Sequence, residues 1–187
     1  KAPIVVEDRS VRDRYGDPGR PLTTRLANGR VVIRVEDGDI FLDGRGSTPA
    51  GDFPFLDRMT LATGKAERLW RCAEGEYESV VDTIAPGAAR CITSRESPTA
   101  PPNYWIRSLS GQPTQITQFT DPAPQLRHIK KELVTYKRAD GVNLSATMYL
   151  PADYKPGTRL PLLVWAYPLE FNDPSTAGQV SGSTNRF

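Results

Sequence analysis

The sequence has little of what marks a disulfide-rich, metal-binding or membrane-spanning protein. Its 187 residues include two cysteines and one histidine, too few for a disulfide framework or a zinc site. The longest mainly apolar stretch without a charged residue, 160–169, is ten residues long, and a membrane-spanning helix needs roughly 18. We therefore expect no membrane span and no metal or other cofactor.

An excess of charge of one sign is missing as well. There are 24 basic and 22 acidic side chains, so the formal net charge is only +2. Such a balance creates no general field that would attract nucleic acid, and we expect no nucleic-acid partner. The first six residues lack the apolar core and cleavage site of a signal peptide, which leaves cytoplasmic and secreted or periplasmic locations both open.

The two cysteines, Cys72 and Cys91, leave two alternatives open. They could form one bridge between neighbouring strands in an oxidising compartment. Free cysteine, however, is commonly a small buried core residue. We favour two buried thiols.

Strand patterns dominate the chain, and they repeat. Runs rich in β-branched residues are bounded by Asp, Gly and Pro, whereas Pro or Gly interrupts most stretches long enough for a helix. The second set of strands starts 48 or 49 residues after the first. Four strands per unit with a period in the forties is typical of β-propeller blades, with an irregular β-sandwich as the alternative. The two sets lie near 30–35, 39–45, 55–61 and 66–71, and near 78–84, 88–95, 103–109 and 114–119.

A matching turn supports the repeat. Gly64 and Gly111 stand 47 residues apart, each after a small hydroxyl residue and between similarly spaced apolar positions. Both are predicted to supply the positive φ of a tight hairpin turn. Two blades cannot close a propeller, which typically takes about four to eight. We therefore interpret residues 1–120 as the C-terminal part of a propeller, with arginine-rich surface loops over 1–29.

A change of character follows at 121–128, where Asp121-Pro122-Ala123-Pro124 cannot continue a strand. Beyond this junction, residues 130–137 and 142–150 are predicted to form a hairpin around Asp140-Gly141. Residues 160–166 are apolar at almost every position, as in a strand covered on both faces of an α/β sheet. We therefore place the start of an α/β domain at 129–187.

The motifs of this last region resemble those of one enzyme family. Tyr136-Lys137-Arg138-Ala139-Asp140-Gly141-Val142, Met148-Tyr149-Leu150-Pro151 and the run from Leu160 to Phe171 are similar to the prolyl oligopeptidase family of serine peptidases. The ending Tyr-Pro-x-Glu-Phe is closest to its glutamyl-endopeptidase-like branch. The resemblance implies a mainly β chain in which propeller blades precede the first strands of an α/β-hydrolase domain. It also implies a peptide substrate, with the propeller limiting access to short peptides or exposed segments.

The nucleophile that such an enzyme needs is missing from the sequence. In α/β hydrolases the serine occupies a G-x-S-x-G elbow, and the acid and the histidine follow it. Only Gly178 and Gly182 have that spacing, and Val180 stands between them. His128 precedes any such elbow, so we interpret it as solvated or structural. Proximity of Asp173 to Ser175 or Ser181 is ordinary loop composition.

We therefore expect the nucleophile, acid and base to lie outside this chain, in the remainder of the same polypeptide. The chain alone should be inactive. A noncatalytic β-rich interaction module remains the alternative.

One catalytic role can still lie within the chain. The resemblance implies that Tyr167, directly after the apolar run, donates its phenolic hydroxyl to the oxyanion hole. Pro168 has no N–H, which favours a side-chain donor at this loop; a tyrosine packed at the end of a core strand is the alternative. Glu170 is interpreted as a solvated charge, with a substrate-orienting carboxylate as the alternative. The three tryptophans are expected in the core: Trp70, Trp105 and Trp165.

Overall fold

The structure is a computed structural model, which describes residues 5–167 and 173–187. Strands dominate it, which confirms the mainly β fold class. Helical structure in the described ranges is limited to two 3₁₀ turns, Pro86–Ala88 and Pro124–Leu126, and the short helix α1, Pro174–Ala177. The strands in chain order are β1 Arg20–Pro21, β2 Thr23–Arg25, β3 Val31–Ile33, β4 Val35–Glu36, β5 Asp39–Gly44, β6 Ser47–Thr48, β7 Gly51–Asp52, β8 Phe55–Thr60, β9 Lys65–Arg71, β10 Tyr77–Thr83, β11 Arg90–Ser97, β12 Ala100–Ser108, β13 Thr114–Gln115, β14 Lys130–Lys137 and β15 Asn143–Leu150.

The first large sheet, sheet 1, has the order β1-β5-β8-β9, and β4 also pairs with β5. All of its pairings are antiparallel. The β8–β9 hairpin turns at Gly64, whose φ of 68° lies in the left-handed region that glycine tolerates without a Cβ clash. The predicted role of Gly64 is confirmed.

The second large sheet, sheet 2, has the order β10-β11-β12-β13 and is also antiparallel. Its last turn differs from the prediction, because Gly111 is not among the described glycines with positive φ. The link from Ser108 to Thr114 is one residue longer than the link from Thr60 to Lys65. The extra residue lets the chain reverse without a left-handed glycine, so the prediction for Gly111 is wrong.

The predicted strand sets match the two sheets, with two departures. Residues 30–35 divide into β3 and β4 at Arg34, whose backbone N–H donates to the Leu22 carbonyl instead of continuing one ladder. Its side chain approaches Glu36, with Nε and Oε1 3.3 Å apart. The strand predicted over 114–119 keeps only Thr114–Gln115.

The core lies where the two sheets meet. Buried side chains from β5, β8, β10, β11 and the first 3₁₀ turn form one cluster, against which Leu22, Leu69 and Trp70 pack. Burial of a side chain the size of Val, Leu or Phe contributes roughly 1.5–3 kcal/mol. The cluster comprises Phe41, Leu56, Val80, Ala88 and Cys91.

A buried ion pair lies beside this core. The Glu78 carboxylate, 2% exposed, accepts hydrogen bonds from Thr93 Oγ1 at 2.6 Å and from Arg107 Nε and Nη2 at 3.0 and 2.6 Å. The Arg107 guanidinium lies 5.0 Å from the centre of the Trp70 ring. Because Trp70 belongs to sheet 1 and Arg107 to sheet 2, this cation–π contact links the two sheets.

Both cysteines are buried free thiols, which confirms the alternative that we favoured from the sequence. Burial raises the pKa of each thiol, since a thiolate is poorly solvated there. The Cys72 sulfur accepts the backbone N–H of Glu78 at 3.1 Å, so it also fixes the start of β10.

The hairpin after the junction forms as predicted. Strands β14 and β15 pair in register from Lys130 opposite Leu150 to Lys137 opposite Asn143. Gly141 has a φ of 86°, and Arg138 pairs with Asp140 at 2.6 Å. The preceding residues 121–128 contain no strand.

The predicted buried strand at 160–166 is wrong. These residues have no regular secondary structure and are exposed; Leu163, for example, is 89% exposed. A central strand takes its hydrogen bonds from neighbours on both sides, and no described strand pairs with this run. Among the described residues, no helix is long and apolar enough to cross a membrane.

Candidate functional site

Tyr167 lies at the end of the exposed apolar run, and its own side chain is 74% exposed. Its ring packs edge-on against Trp165, with ring centres 5.7 Å apart and planes at 66°. Trp165 is itself 80% exposed, so the expectation that it is a core residue is wrong, for the same lack of a neighbouring strand. The Tyr167 phenol is therefore accessible and is not buried at the end of a core strand.

The other two tryptophans lie within the sheets. Trp70 is half-buried against the core cluster. Trp105 on β12 is also half-buried, and the Arg95 guanidinium lies 4.9 Å from its ring centre. The predicted core packing is confirmed for Trp70, whereas Trp105 does not pack against the core cluster.

The remaining residues considered from the sequence are not brought into a catalytic group. His128 is exposed in a turn between the second 3₁₀ turn and β14. Asp173 accepts the backbone N–H of Ser175 at 2.8 Å and so caps α1; the side chain of Ser175 and then its backbone N–H lower the pKa of the carboxyl. Ser181 is exposed. Pro168 and Glu170 lie outside the described residues.

The segment 173–187, called here the C-terminal strap, is held by acidic side chains of three different parts of the chain. Asp52, 2% exposed, is the central anchor. Its carboxylate accepts the N–H of Gly182 at 2.9 Å, while its own N–H donates to the Gly182 carbonyl at 2.8 Å. Ser47 Oγ donates to the other carboxylate oxygen at 2.6 Å.

Each end of the strap has a further anchor. The Gln179 amide donates to Asp13 at 2.7 Å, which is the main reason that the pKa of this carboxyl is lowered. At the other end, Glu96 accepts Arg186 Nε at 3.1 Å and the Phe187 N–H at 2.9 Å. The strap is thus tied to the N-terminal loop, to the β6–β7 hairpin and to sheet 2.

These anchors were missed by sequence reasoning. Asp13, Asp52 and Glu96 carry no local signal, because their partners in the strap are between 90 and 166 residues away along the chain. A buried position for an acidic residue such as Glu96, which is 7% exposed, becomes apparent only when the fold is known.

A cavity of about 770 Å³ lies between the β14–β15 hairpin, the N-terminal loop and the strap. Tyr15 and Tyr136 line it from two of these sides. The strap approaches the hairpin so closely that a Cβ on Gly178 would lie 2.1 Å from the Asn143 carbonyl oxygen. In the described ranges, no group of three or more His, Cys, Asp or Glu residues is arranged to hold a metal ion.

The sequence of the chain is similar to those of several known peptidases, although no protein-family model matches it. A probable chloroplastic glutamyl endopeptidase of Oryza sativa subsp. japonica is 41% identical over 203 residues, covering all of this chain and 22% of that protein. Its namesake from Arabidopsis thaliana is 38% identical, again over the whole chain and over 21% of that protein. The lasso peptide isopeptidase AtxE2 of Asticcacaulis excentricus is 30% identical over 60% of this chain and 16% of that protein.

A solved structure of an AtxE2 isopeptidase variant with Astexin3-dC4 bound is 24% identical. The match covers 83% of this chain and 26% of the chain in the solved structure. Its TM-score of 0.46 is too low to support a fold assignment. The chain spans about a fifth of the length of the plant proteins that it matches. Similarity along the whole chain nevertheless confirms what the motifs indicated: the protein is related to the glutamyl endopeptidases of the prolyl oligopeptidase family.

Proposed function

We propose that the chain is part of a serine peptidase that hydrolyses peptide bonds in short peptides or exposed segments. The observation that carries the proposal is 41% identity, along the whole chain, to a protein named as an endopeptidase. A second relative is named as a peptide isopeptidase, and cleavage of amide bonds in peptides is common to both names.

In this proposal residues 1–120 form the end of a β-propeller, with about two blades at 30–71 and 78–119. Each large sheet is antiparallel, and every neighbouring pair in sheet 2 and two of the four in sheet 1 are consecutive strands, as expected of blades. Residues 121–128 link them to the first strands of an α/β-hydrolase domain at 129–187. The propeller would limit which peptides reach the active site.

Tyr167 is the proposed catalytic residue of this chain, as a hydrogen-bond donor to the oxyanion. A tetrahedral intermediate of acyl transfer carries negative charge on the former carbonyl oxygen, and a fixed donor aimed at that oxygen stabilises it. The phenol is exposed and its ring rests on Trp165, so the hydroxyl is available to a bound substrate.

The serine nucleophile, its histidine base and the acid belong, in this proposal, to other parts of the polypeptide. The chain has no G-x-S-x-G sequence, and His128, its single histidine, is exposed at the junction. Accordingly, the 187 residues alone should hydrolyse neither peptide nor ester substrates. Turnover by the chain alone that a serine-directed inhibitor abolishes would contradict this division of roles.

The role of Tyr167 is tested by Tyr167→Phe in the intact parent enzyme. Loss of one oxyanion donor typically lowers kcat by about 10²–10³-fold, and KM should change little because the bond is made mainly in the transition state. Tyr136→Phe is the matched control, since Tyr136 is also exposed but lies on the hairpin. Equal kcat for Tyr167→Phe and the control would reduce Tyr167 to a packing residue.

A further inference from the structure

The loop that joins β2 to β3, residues 26–30, contains the single Asn-Gly pair of the sequence, Asn28-Gly29. Both residues are exposed. Gly29 has a φ of 82°, and a Cβ built on it would meet no atom within 4 Å. The peptide bond between the two residues is therefore open to solvent.

The side-chain amide of Asn28 is held by its oxygen. Oδ1 accepts the backbone N–H of Arg30 at 3.1 Å, and a hydrogen bond at this oxygen draws electron density away from the amide carbon Cγ. In the described ranges, Nδ2 donates no hydrogen bond to a protein atom. The carbon is thus open to a nucleophile, and no protein atom retains the nitrogen that would leave it.

Two guanidinium groups flank the same peptide bond. Arg25 Nη1 donates to the Gly29 carbonyl oxygen at 2.9 Å, and Arg30 follows Gly29 directly. No carboxylate in the described part of the chain lies within 4.0 Å of either guanidinium. Positive charge at short range stabilises an anion, here the backbone nitrogen of Gly29 after it has lost its proton.

One hydrogen bond opposes attack by this nitrogen. The Gly29 N–H donates to the Leu26 carbonyl at 2.9 Å, and this bond must open first. Strands β2 and β3 form a separate two-stranded sheet with three residue pairs, and a two-stranded hairpin is only marginally stable by itself. Exposed hydrogen bonds of such a unit open at a low free energy.

We propose that Asn28 is a site of spontaneous deamidation in the folded chain. Hydroxide removes the Gly29 amide proton, and the nitrogen anion attacks Cγ of Asn28. The Cγ–Nδ2 bond then breaks, and Nδ2 takes a proton from water and leaves as ammonia, which regenerates the hydroxide. Water opens the resulting cyclic imide at either of its carbonyl carbons, giving aspartate or isoaspartate. The net reaction consumes one water, releases one ammonia and transfers no electrons.

The modification changes the β2–β3 hairpin and spares the core. The new carboxylate lies beside Arg25 and Arg30 and lowers the formal net charge of +2 by one. An isoaspartyl residue adds one carbon to the main chain, which disturbs the three residue pairs of the hairpin. Residues 26–30 contribute no side chain to the core cluster of the described residues. The inference requires no part of the proposed peptidase function.

The test is a time course of the 187-residue chain in mildly alkaline buffer. Trypsin cleaves after Arg25 and Arg30 and releases residues 26–30 as one peptide, in which mass spectrometry measures the conversion. An isoaspartyl methyltransferase labels the isoaspartate product. We expect both products at Asn28, formed at a rate that rises with pH because hydroxide removes the amide proton.

Two other asparagines in the same digest are internal controls. Asn143 is exposed but precedes Leu144, whose side chain hinders attack by its nitrogen. Asn103 is buried, and its Nδ2 donates to two backbone carbonyls at 3.2 Å. We expect Asn28 to react at least about tenfold faster than Asn143, the equivalent of about 1.4 kcal/mol in activation free energy.

Gly29→Ala places a Cβ on the attacking residue and should slow the reaction of Asn28 by at least about tenfold. Gly38→Ala is the matched control, because Gly38 is also exposed, has a φ of 86° and would place its Cβ in open space. Alanine at positive φ strains a turn, so a second variant, Asn28→Gln, changes only an exposed side chain. It should abolish the acidic form seen on ion-exchange chromatography, since the larger imide ring of glutamine forms far more slowly.

A rate at Asn28 no greater than that at Asn143 would overturn the proposal. Aspartate formed without isoaspartate would also overturn it, because direct hydrolysis of the side chain does not pass through the imide. An unchanged rate in Gly29→Ala, or persistence of the acidic form in Asn28→Gln, would place the reaction elsewhere in the chain. Slowing by Gly38→Ala to the same extent would show that turn strain, and not access to Cγ, controls the rate.

Discussion

The core residues of the two large sheets are buried, whereas the apolar residues of 160–167, which follow the β14–β15 hairpin, are exposed. Phe41 and Leu56 in sheet 1 are 1% and 0% exposed, whereas Leu162 and Leu163 after the hairpin are 86% and 89% exposed. Within each sheet, most strands pair with strands that are near in sequence, and the two sheets cover each other's inner faces. Residues 160–167 have no such neighbour among the described residues.

The difference shows that hydrophobicity alone does not create a strand. An antiparallel hairpin brings its own partner, joined by a short turn. A strand of a parallel sheet needs partners that are delivered by crossover connections of a dozen or more residues. The two sheets are therefore expected to be stable units. The β14–β15 hairpin and residues 160–167 are expected to contribute little to the free energy of unfolding.

The largest expected effect is at the buried ion pair. Glu78→Gln leaves the Arg107 guanidinium, 18% exposed, without its counter-charge, and breaking such a pair costs about 3–5 kcal/mol. Urea unfolding of the chain measures this loss. Asp140→Asn, which removes a carboxylate from an exposed pair with Arg138, is the matched control and should change the free energy of unfolding far less. Similar losses would show that the two regions do not differ as described.

A pair of leucines sharpens the comparison at the apolar residues. Leu56→Ala removes a fully buried side chain and should lower the free energy of unfolding by about 2–5 kcal/mol. Leu162→Ala removes one that is already in water, so thermal and urea unfolding should stay within about 0.5 kcal/mol of the parent chain. A large loss at Leu162 would mean that residues 160–167 are packed in solution.

The smallest expected effect is in the pH dependence of stability. Burial raises the pKa of Asp43 above the ordinary value of 3.8, so the folded chain binds this proton more tightly than the unfolded chain. The contribution of Asp43 therefore becomes less favourable as the pH rises through the region just above 3.8. Asp43→Asn should remove that decline from urea unfolding curves recorded between about pH 4 and pH 6.

The contribution of Asp140 to stability depends on pH in the opposite direction. Its hydrogen bonds with Arg138 lower the pKa of this carboxyl to about 2. Its stabilising contribution is thus complete above the ordinary value of 3.8 and is lost as the pH falls towards 2. Asp140→Asn should leave the slope between about pH 4 and pH 6 unchanged, and a change there equal to that of Asp43→Asn would contradict the assignment.

Much of the local structure could be predicted from the sequence, because local rules govern it. β-branched runs bounded by Gly, Asp and Pro became strands, and Gly64 and Gly141 adopted the positive φ that their turns need. The failures have a common origin. Gly111 and the run at 160–166 depend on turn length and on partner strands, neither of which is encoded in the residues themselves.

The candidate site was predicted in part. The position of Tyr167 was derived from motifs and stays a prediction, whereas its exposure and its contact with Trp165 became apparent only from the structure. The strap had no signal in the sequence, because it joins residues that are far apart in the chain, such as Arg14 with Gln179 and Asp52 with Gly182.

The sequence by itself determined most strand positions, the strand-free stretch at 121–128, the absence of a nucleophile elbow and the family resemblance, since each of these depends on residues close together in the chain. Only the tertiary structure decided which carboxylates are buried and which apolar residues are covered. These outcomes depend on long-range contacts, whose partners are brought together by packing of the sheets and not by local preference.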